Sequence, residues 1–410
     1  MNNEPGPSSE SRVVDSELHV SQAAAIKRLV ATVMNTRAVH DVAVRMVYPF
    51  LPEIAAGLGV SIAQVGLLVS LRNGVGIVAP AFGAMSDRVG HRRSAMLGLA
   101  LLGLGLLATG LASSIELAAL GFILSGIGSA IFIPALLAYV SDRVPFARRG
   151  RVTGAIELTW GAAGMIGVPF MGVIIAAIGW QAPFILLGIA AFIGAGLLLL
   201  LEESREQHVL REALKLAALL KNHSAMAFIG TWFLVFFAFE NIQVGYATWL
   251  ETHFGLDATQ RGTVQILFGV FEIGASLGSA LFLDRFGKKR GVVGGLIVVL
   301  IGYTFLATLG SAALWLGLTA ISVTFLGFEF SVVSGVPIMG EQVPEARGTL
   351  IALALTAGSL GRMIADWLGS ALVTGAGFEV AASVSAIAAL VTVVVFARWV
   401  RESGTARQSA

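Results

Sequence analysis

Charge in this chain is segregated: short charged clusters alternate with stretches of about 20 residues that carry little or none, the length at which an α-helix crosses the hydrocarbon core of a bilayer. Segments such as 97–111 and 292–309 contain no charged residue at all. A transmembrane barrel needs alternating segments of roughly 10 residues instead, so that architecture is excluded. Only 13% of the 410 residues are charged, about half the share of a soluble domain, and the mean hydropathy is +0.84. A water-soluble enzyme is excluded, and no catalytic activity is expected. The absence of cysteine removes disulfides, thiolate metal sites and a cysteine nucleophile.

The apolar stretches predict twelve spans, at 29–56, 62–85, 93–112, 115–140, 152–178, 182–201, 224–250, 261–283, 291–310, 312–339, 349–374 and 378–398. An even number puts both termini on one side. Of the 27 Lys and Arg, 22 fall in one alternate set of loops and tails, and the other set holds Arg261 alone. The excess marks the cytoplasmic side, so both termini are expected there. The chain divides into a disordered tail (1–28), six spans (29–201), a linker (202–222), six more spans (223–398) and a second tail (399–410). Within the linker, Leu210, Leu214, Ala217 and Leu220 recur at helical spacing opposite Glu206, Arg211 and Lys215. This predicts an amphipathic helix on the membrane surface.

The two sets of six spans repeat one another. Asp87-Arg88-Val89-Gly90 after span 2 is matched by Asp284-Arg285-Phe286-Gly287 after span 8, an offset of 197 residues, and each is followed by three basic residues. Val144-Pro145-Phe146-Ala147-Arg148 after span 4 is matched by Val343-Pro344-Glu345-Ala346-Arg347 after span 10, an offset of 199. Parallel repeats of this kind are related by an axis along the membrane normal.

The stretch from Gly83 through Asp87, Arg88 and Gly90 to Arg92 and Arg93, with its copy at Asp284, Arg285 and Gly287, resembles the signature of the major facilitator superfamily. The resemblance covers 29–398 and is nearest to the drug and metabolite efflux branch. It implies an all-α membrane protein of 12 transmembrane helices in two pseudo-symmetric six-helix bundles. It also implies that the charged loop latches the two bundles in one state of an alternating-access cycle. On physical grounds alone, Asp87 is placed to cap a helix start, and the arginines orient the chain.

Two positions depart from the family's pattern. Phe122, four residues before Gly126-x-Gly128, stands where many proton-driven members have an arginine. Span 5 carries Gly161, Gly164, Gly167, Pro169 and Gly172, similar to an antiporter signature, but Val168 separates the Gly and Pro that should adjoin. Close helix packing at small residues explains the same glycines without any coupling role.

Charges within spans are costly and normally face a cavity or a partner. Away from the span ends they occur at Arg37, Asp41 and Arg45 in span 1, Arg72 in span 2, Glu157 in span 5, Glu240 in span 7, Glu272 in span 8, Glu329 in span 10, and Arg362 and Asp366 in span 11. Spans 3, 6, 9 and 12 have none except at their ends, at Arg93, Glu379 and Arg398, and these spans are the outer supports in the family. Arg37, Asp41 and Arg45 recur every four residues, with Tyr48 beyond them, as one polar stripe with a cation on either side of Asp41. The same spacing predicts an Arg362–Asp366 pair, and Glu157 reads as an interfacial charge. Glu240, Glu272 and Glu329 have no charged neighbour on their own helices, so they must pair elsewhere or be neutral part of the time. Aromatic residues around Glu240, from Trp232 through Phe239 to Trp249, suggest an amphipathic binding wall.

Other motifs carry no chemistry. Gly274-Ala275-Ser276-Leu277-Gly278 fits a hydrolase nucleophile elbow but lies within a span, with no strand before it. His40 lacks a second histidine at metal-binding spacing. No phosphate loop or dinucleotide fingerprint occurs. No cofactor, metal or nucleic acid is expected. The reading is a monomeric secondary transporter in a bacterial inner membrane, moving an amphipathic small molecule outward in exchange for protons. The alternatives are proton-linked uptake of an organic anion or other metabolite, and a lipid-flipping or non-transporting member of the same family.

Overall fold

The computed structural model describes residues 9–144, 146–203, 219–343 and 346–402. Most of the predicted linker helix lies outside them. The first half contains α1 (Ser9–Arg45), α2 (Leu51–Leu58), α3 (Ile62–Gly74), α4 (Ala79–Val89), α5 (His91–Gly110), α6 (Ile115–Arg143), α7 (Phe146–Ala162), α8 (Val168–Ile178) and α9 (Gln181–Leu198). The second half contains α10 (His223–Gln243), α11 (Tyr246–Phe254), α12 (Ala258–Phe286), α13 (Lys288–Leu309), α14 (Leu314–Glu341), α15 (Arg347–Gly375) and α16 (Phe378–Trp399). Among the described residues, ten helical segments are long and apolar enough to cross a membrane. The charge-bearing α1 with α2, and α12, stand where the sequence predicts spans 1 and 8. One expectation is corrected: helix begins at Ser9, within the tail read as disordered. The polar run after Pro7 contains no further Pro or Gly, so nothing in it interrupts helix propagating back from the span.

The repeat seen in the sequence is also written in the backbone. Glycines with positive φ fall in three pairs, Gly59 and Gly255, Gly90 and Gly287, and Gly179 and Gly377, at offsets of 196, 197 and 198 residues. A left-handed residue ends a helix without strain only if it lacks a Cβ. After the first pair, Ser61 with Gln64 and Asp257 with Gln260 form matching capping boxes at the starts of α3 and α12. Span 1 breaks between α1 and α2, and span 7 breaks at the corresponding place between α10 and α11.

Packing follows the same repeat. In the first bundle α5 lies against α6 and α9, and α3 against α6. In the second, α13 lies against α14 and α16, and α12 against α14. Small residues allow backbones to touch: a Cβ on Gly105 would fall 2.4 Å from the Ser125 amide, and one on Gly302, its counterpart at offset 197, would fall 2.6 Å from the Thr324 methyl. Gly105→Val is therefore expected to destabilise the protein by about 1–3 kcal/mol through overpacking. Thermal unfolding of the purified variant measures this directly.

The bundles meet unevenly. At the end away from the basic loops, α3 packs along α15, and α8 along α12. There a Cβ on Gly66 would overlap Ser370, one on Gly172 would lie 2.8 Å from the Ala258 carbonyl, and Ser70 donates to the Met363 carbonyl at 2.6 Å. Arg261, 1% exposed, reaches Glu53 of the first bundle and lies 3.6 Å from Glu251 of its own. Toward the basic end the contacts thin, because α4 barely touches α15 and α7 barely touches α12. The interface is closed at one end and parted at the other.

Candidate functional site

The charged residues of the spans gather in three clusters. The first lies inside the first bundle. Asp41, fully buried, takes Arg37 Nε at 2.8 Å, His40 Nδ1 at 2.9 Å and the Thr159 hydroxyl at 2.8 Å. His40 continues through Nε2 to Ser129 at 3.2 Å, and Arg37 to Glu157 at 3.5 Å. Glu157 has its side chain about half exposed toward the parted end.

The second cluster joins the bundles. Arg45 reaches Glu272 of α12 with nitrogen–oxygen distances of 2.9 and 3.2 Å, and its guanidinium lies 4.7 Å from the Trp160 ring centre. The close approach depends on Gly164, where a Cβ would sit 2.9 Å from Arg45 Nη2. Gly164 and Gly167 face α1, whereas Gly161 and Gly172 face α12. A π-helical turn, Ala163–Gly167, precedes Pro169 and rotates the helix between these two sets. Next to this pair, Glu329 accepts from the Ser276 hydroxyl at 2.9 Å.

The third cluster also crosses the interface. Tyr48, in the break of span 1, donates its hydroxyl to Glu240 and accepts from Arg72 at 3.3 Å and Asn73 at 3.0 Å. Asn73 also donates to Asp366 at 2.7 Å. Arg362 lies 3.9 Å from Glu240 and stacks on Phe236 at 4.5 Å. Two expectations are corrected here. Arg362 turns to Glu240 of α10, not to Asp366 one turn away, whose hydrogen bond comes from Asn73. Asp41 has a cation on one side only, since Arg45 is drawn to Glu272. In each case a partner on a neighbouring helix displaces the one that spacing along the helix allows.

The signature loop also differs from its expected local role. Asp87 lies in the last turn of α4, and α5 starts at His91 behind an N-cap glycine, Gly90, with no side-chain cap. His91 bridges Asp87 at 3.4 Å and Asp142 at 2.7 Å, while Arg92 donates to the Leu201 carbonyl at 2.6 Å. These partners all belong to the first bundle. Arg88 and Arg285 are exposed, Gly287 repeats the turn of Gly90, and the Asp284 side chain lies outside what is described.

Asn73 and Trp160 join these clusters without having been singled out in the sequence, and Ser276 joins them from a motif read there as carrying no chemistry. Asn73 is the one with a visible signal, as an amide adjoining a membrane arginine.

A scan against family models matches the Major Facilitator Superfamily over residues 34–252 and 228–410. The chain belongs to the Major Facilitator Superfamily. Among curated relatives, it is 30% identical to the uncharacterized MFS-type transporter YwfA of Bacillus subtilis over 34% of each chain. It is 27% identical to multidrug resistance protein 2 of the same organism over 37% of this chain and 38% of the relative. These two alignments thus span little more than a third of the relatives' lengths. Among solved structures, the D-xylose-proton symporter superposes with a TM-score of 0.77 at 19% identity, covering 93% of this chain and 99% of the other. That likeness concerns the fold. Two of the three polar clusters, those of Arg45 with Glu272 and of Tyr48 with Glu240, lie where the two bundles meet.

Proposed function

We propose that this MFS transporter exports an amphipathic, cationic or neutral small molecule in exchange for protons. Its basic end faces the cytoplasm, 29–201 and 223–398 act as the two moving bundles, and the protein works as a monomer in a bacterial inner membrane. The observation that carries this reading is the partnership of the second bundle's carboxylates. Glu272 is held by Arg45, Glu240 by Tyr48 and Asp366 by Asn73, all three partners coming from the first bundle. Separating the bundles at the closed end strips Glu272 and Asp366 of these partners and leaves Glu240 only Arg362, 3.9 Å away, and an unpaired ion within the membrane is costly. A proton, or the cationic group of a substrate, relieves that cost.

Competition between the two for the same carboxylates is the elementary requirement of exchange. Glu329 suits the proton best, because its hydrogen-bond partner is a neutral hydroxyl and it lies beside the Arg45–Glu272 pair. Phe233 stacked on Phe237, and Phe236 against Phe328, supply an aromatic wall for the apolar part of a substrate. Arg72, over the Phe122 ring at 6.0 Å, poises Tyr48. The signature loop latches the basic end in the opposite state. The outward direction is supported by the similarity to a multidrug resistance protein.

Thermal unfolding of the purified protein against lipophilic cations, neutral sugars and organic anions tests the reading, since a ligand stabilises by RT ln(1 + [L]/Kd). Cations are expected to raise the midpoint, and Glu240→Gln to remove the rise. Stabilisation by anions that Arg45→Ala removes would replace export with uptake of an organic anion.

A further inference from the structure

Each bundle brings the tail of its last span against the basic residues that open its third, and the two arrangements differ in charge. In the first bundle, Arg92 and Arg93 lie 3.5 and 2.5 Å from Glu203, and Arg143 lies 2.7 Å from Glu202. Two carboxylates following α9 thus neutralise the basic cluster. In the second bundle the positions 197 residues later are Lys289 and Arg290. The tail of α16 supplies Arg398 and Arg401 instead of two carboxylates, and Lys221 joins them ahead of α10. The carboxylate nearby, Glu402, accepts from the main-chain amides of Lys288 and Lys289, each at 3.3 Å. Among the described residues no carboxylate lies within ion-pair distance of Lys221, Lys289, Arg290, Arg398 or Arg401.

These cations border a recess of about 1350 Å³ between the starts of α10 and α13 and the end of α16. Its wall along α13 is apolar, formed by Val293, Gly294 and Ile297. Ile297 is 42% exposed, and a Cβ on Gly294 would meet nothing within 4 Å. The recess is therefore amphipathic: among the described residues five cations and one carboxylate, Glu402, at the end of the spans, and an apolar groove running from them along a membrane helix.

We propose that this recess is a binding site for an anionic phospholipid, with its phosphate among Lys289, Arg290 and Arg401 and an acyl chain along Val293 and Ile297. Guanidinium groups match phosphate oxygens in geometry, and basic pockets between membrane helices take up lipid headgroups. A free phosphate would engage the cations and leave the apolar wall bare.

The test uses the full chain, purified in detergent. Its thermal midpoint and native mass spectrum are recorded with phosphatidylglycerol, with phosphatidylcholine of the same chains, and with inorganic phosphate. Phosphatidylglycerol is expected to raise the midpoint and to remain bound, and the other two to do neither. Replacing both arginines (Arg290→Gln with Arg401→Gln) is expected to weaken the apparent affinity about tenfold or more. Arg93→Gln, at the neutralised counterpart, is expected to leave it unchanged. Gly294→Phe, which changes no charge, is expected to weaken phosphatidylglycerol by filling the groove. Equal stabilisation by the two lipids, or by phosphate alone, would overturn the proposal. So would phosphatidylglycerol binding that survives both the arginine and the Gly294 substitutions.

Discussion

Arg45→Ala is expected to destabilise the protein by about 3–5 kcal/mol, the usual cost of leaving one member of a buried ion pair without the other. Glu272 would be the orphan: it sits 2.9 Å from Arg45 with its side chain 8% exposed. Glu272→Gln alone removes a charge and leaves Arg45 the Trp160 face, so its cost is smaller. Combining the two substitutions is expected to recover part of the loss, with an interaction of about 1–3 kcal/mol in the double-mutant cycle. Unfolding of the four proteins in detergent measures this. Strict additivity would show that the bundles are not joined at this pair. All three variants are expected to lose export, because the pair sits where the bundles must both meet and part.

Glu329→Gln is expected to act in the opposite way, leaving stability almost untouched while removing proton coupling. The substitution keeps the shape and a hydrogen bond to Ser276, which lies 2.9 Å away, but fixes the group in an uncharged form. Counterflow of substrate between equal pH values is expected to continue. Flux driven by a pH gradient is expected to fall by about a hundredfold, the lower range of what positioned proton transfer supplies. A variant that kept gradient-driven flux would remove Glu329 from the proton path and return attention to Asp41, Glu240 and Asp366.

The helical, membrane-spanning fold and its internal repeat were legible in the sequence because both depend on properties local to each segment. Apolar length predicts a span whatever surrounds it, and the paired Asp-Arg-x-Gly loops mark equivalent turns that the structure closes with Gly90 and Gly287. The charged positions were legible for the same reason. Their partnerships were not. Arg45 meets Glu272 across 227 residues of chain, and Tyr48 meets Glu240 across 192. Such contacts depend on how far each helix is rotated where it crosses another, and spacing along one helix carries no information about that.

The Arg362–Asp366 spacing shows the limit most clearly. Side chains at i and i+4 are neighbours on any helix, yet a guanidinium over Phe236 and near Glu240 is better placed than one turned along its own helix. The same applies to Arg261, which reads as a lone basic residue at the foot of a span. It is a buried contact to Glu53 of the other bundle, at the end where the two halves close.

The proposed cycle exchanges substrate against protons through carboxylates shared by the two bundles. Its most direct test is the protein reconstituted in proteoliposomes with an imposed pH gradient, following a lipophilic cation and the internal pH together. Cation is expected to accumulate in the acidic lumen, protons to leave as it enters, and Glu329→Gln to abolish both movements while retaining counterflow. Cation movement unaffected by the gradient, or movement of the cation together with protons in one direction, would contradict it.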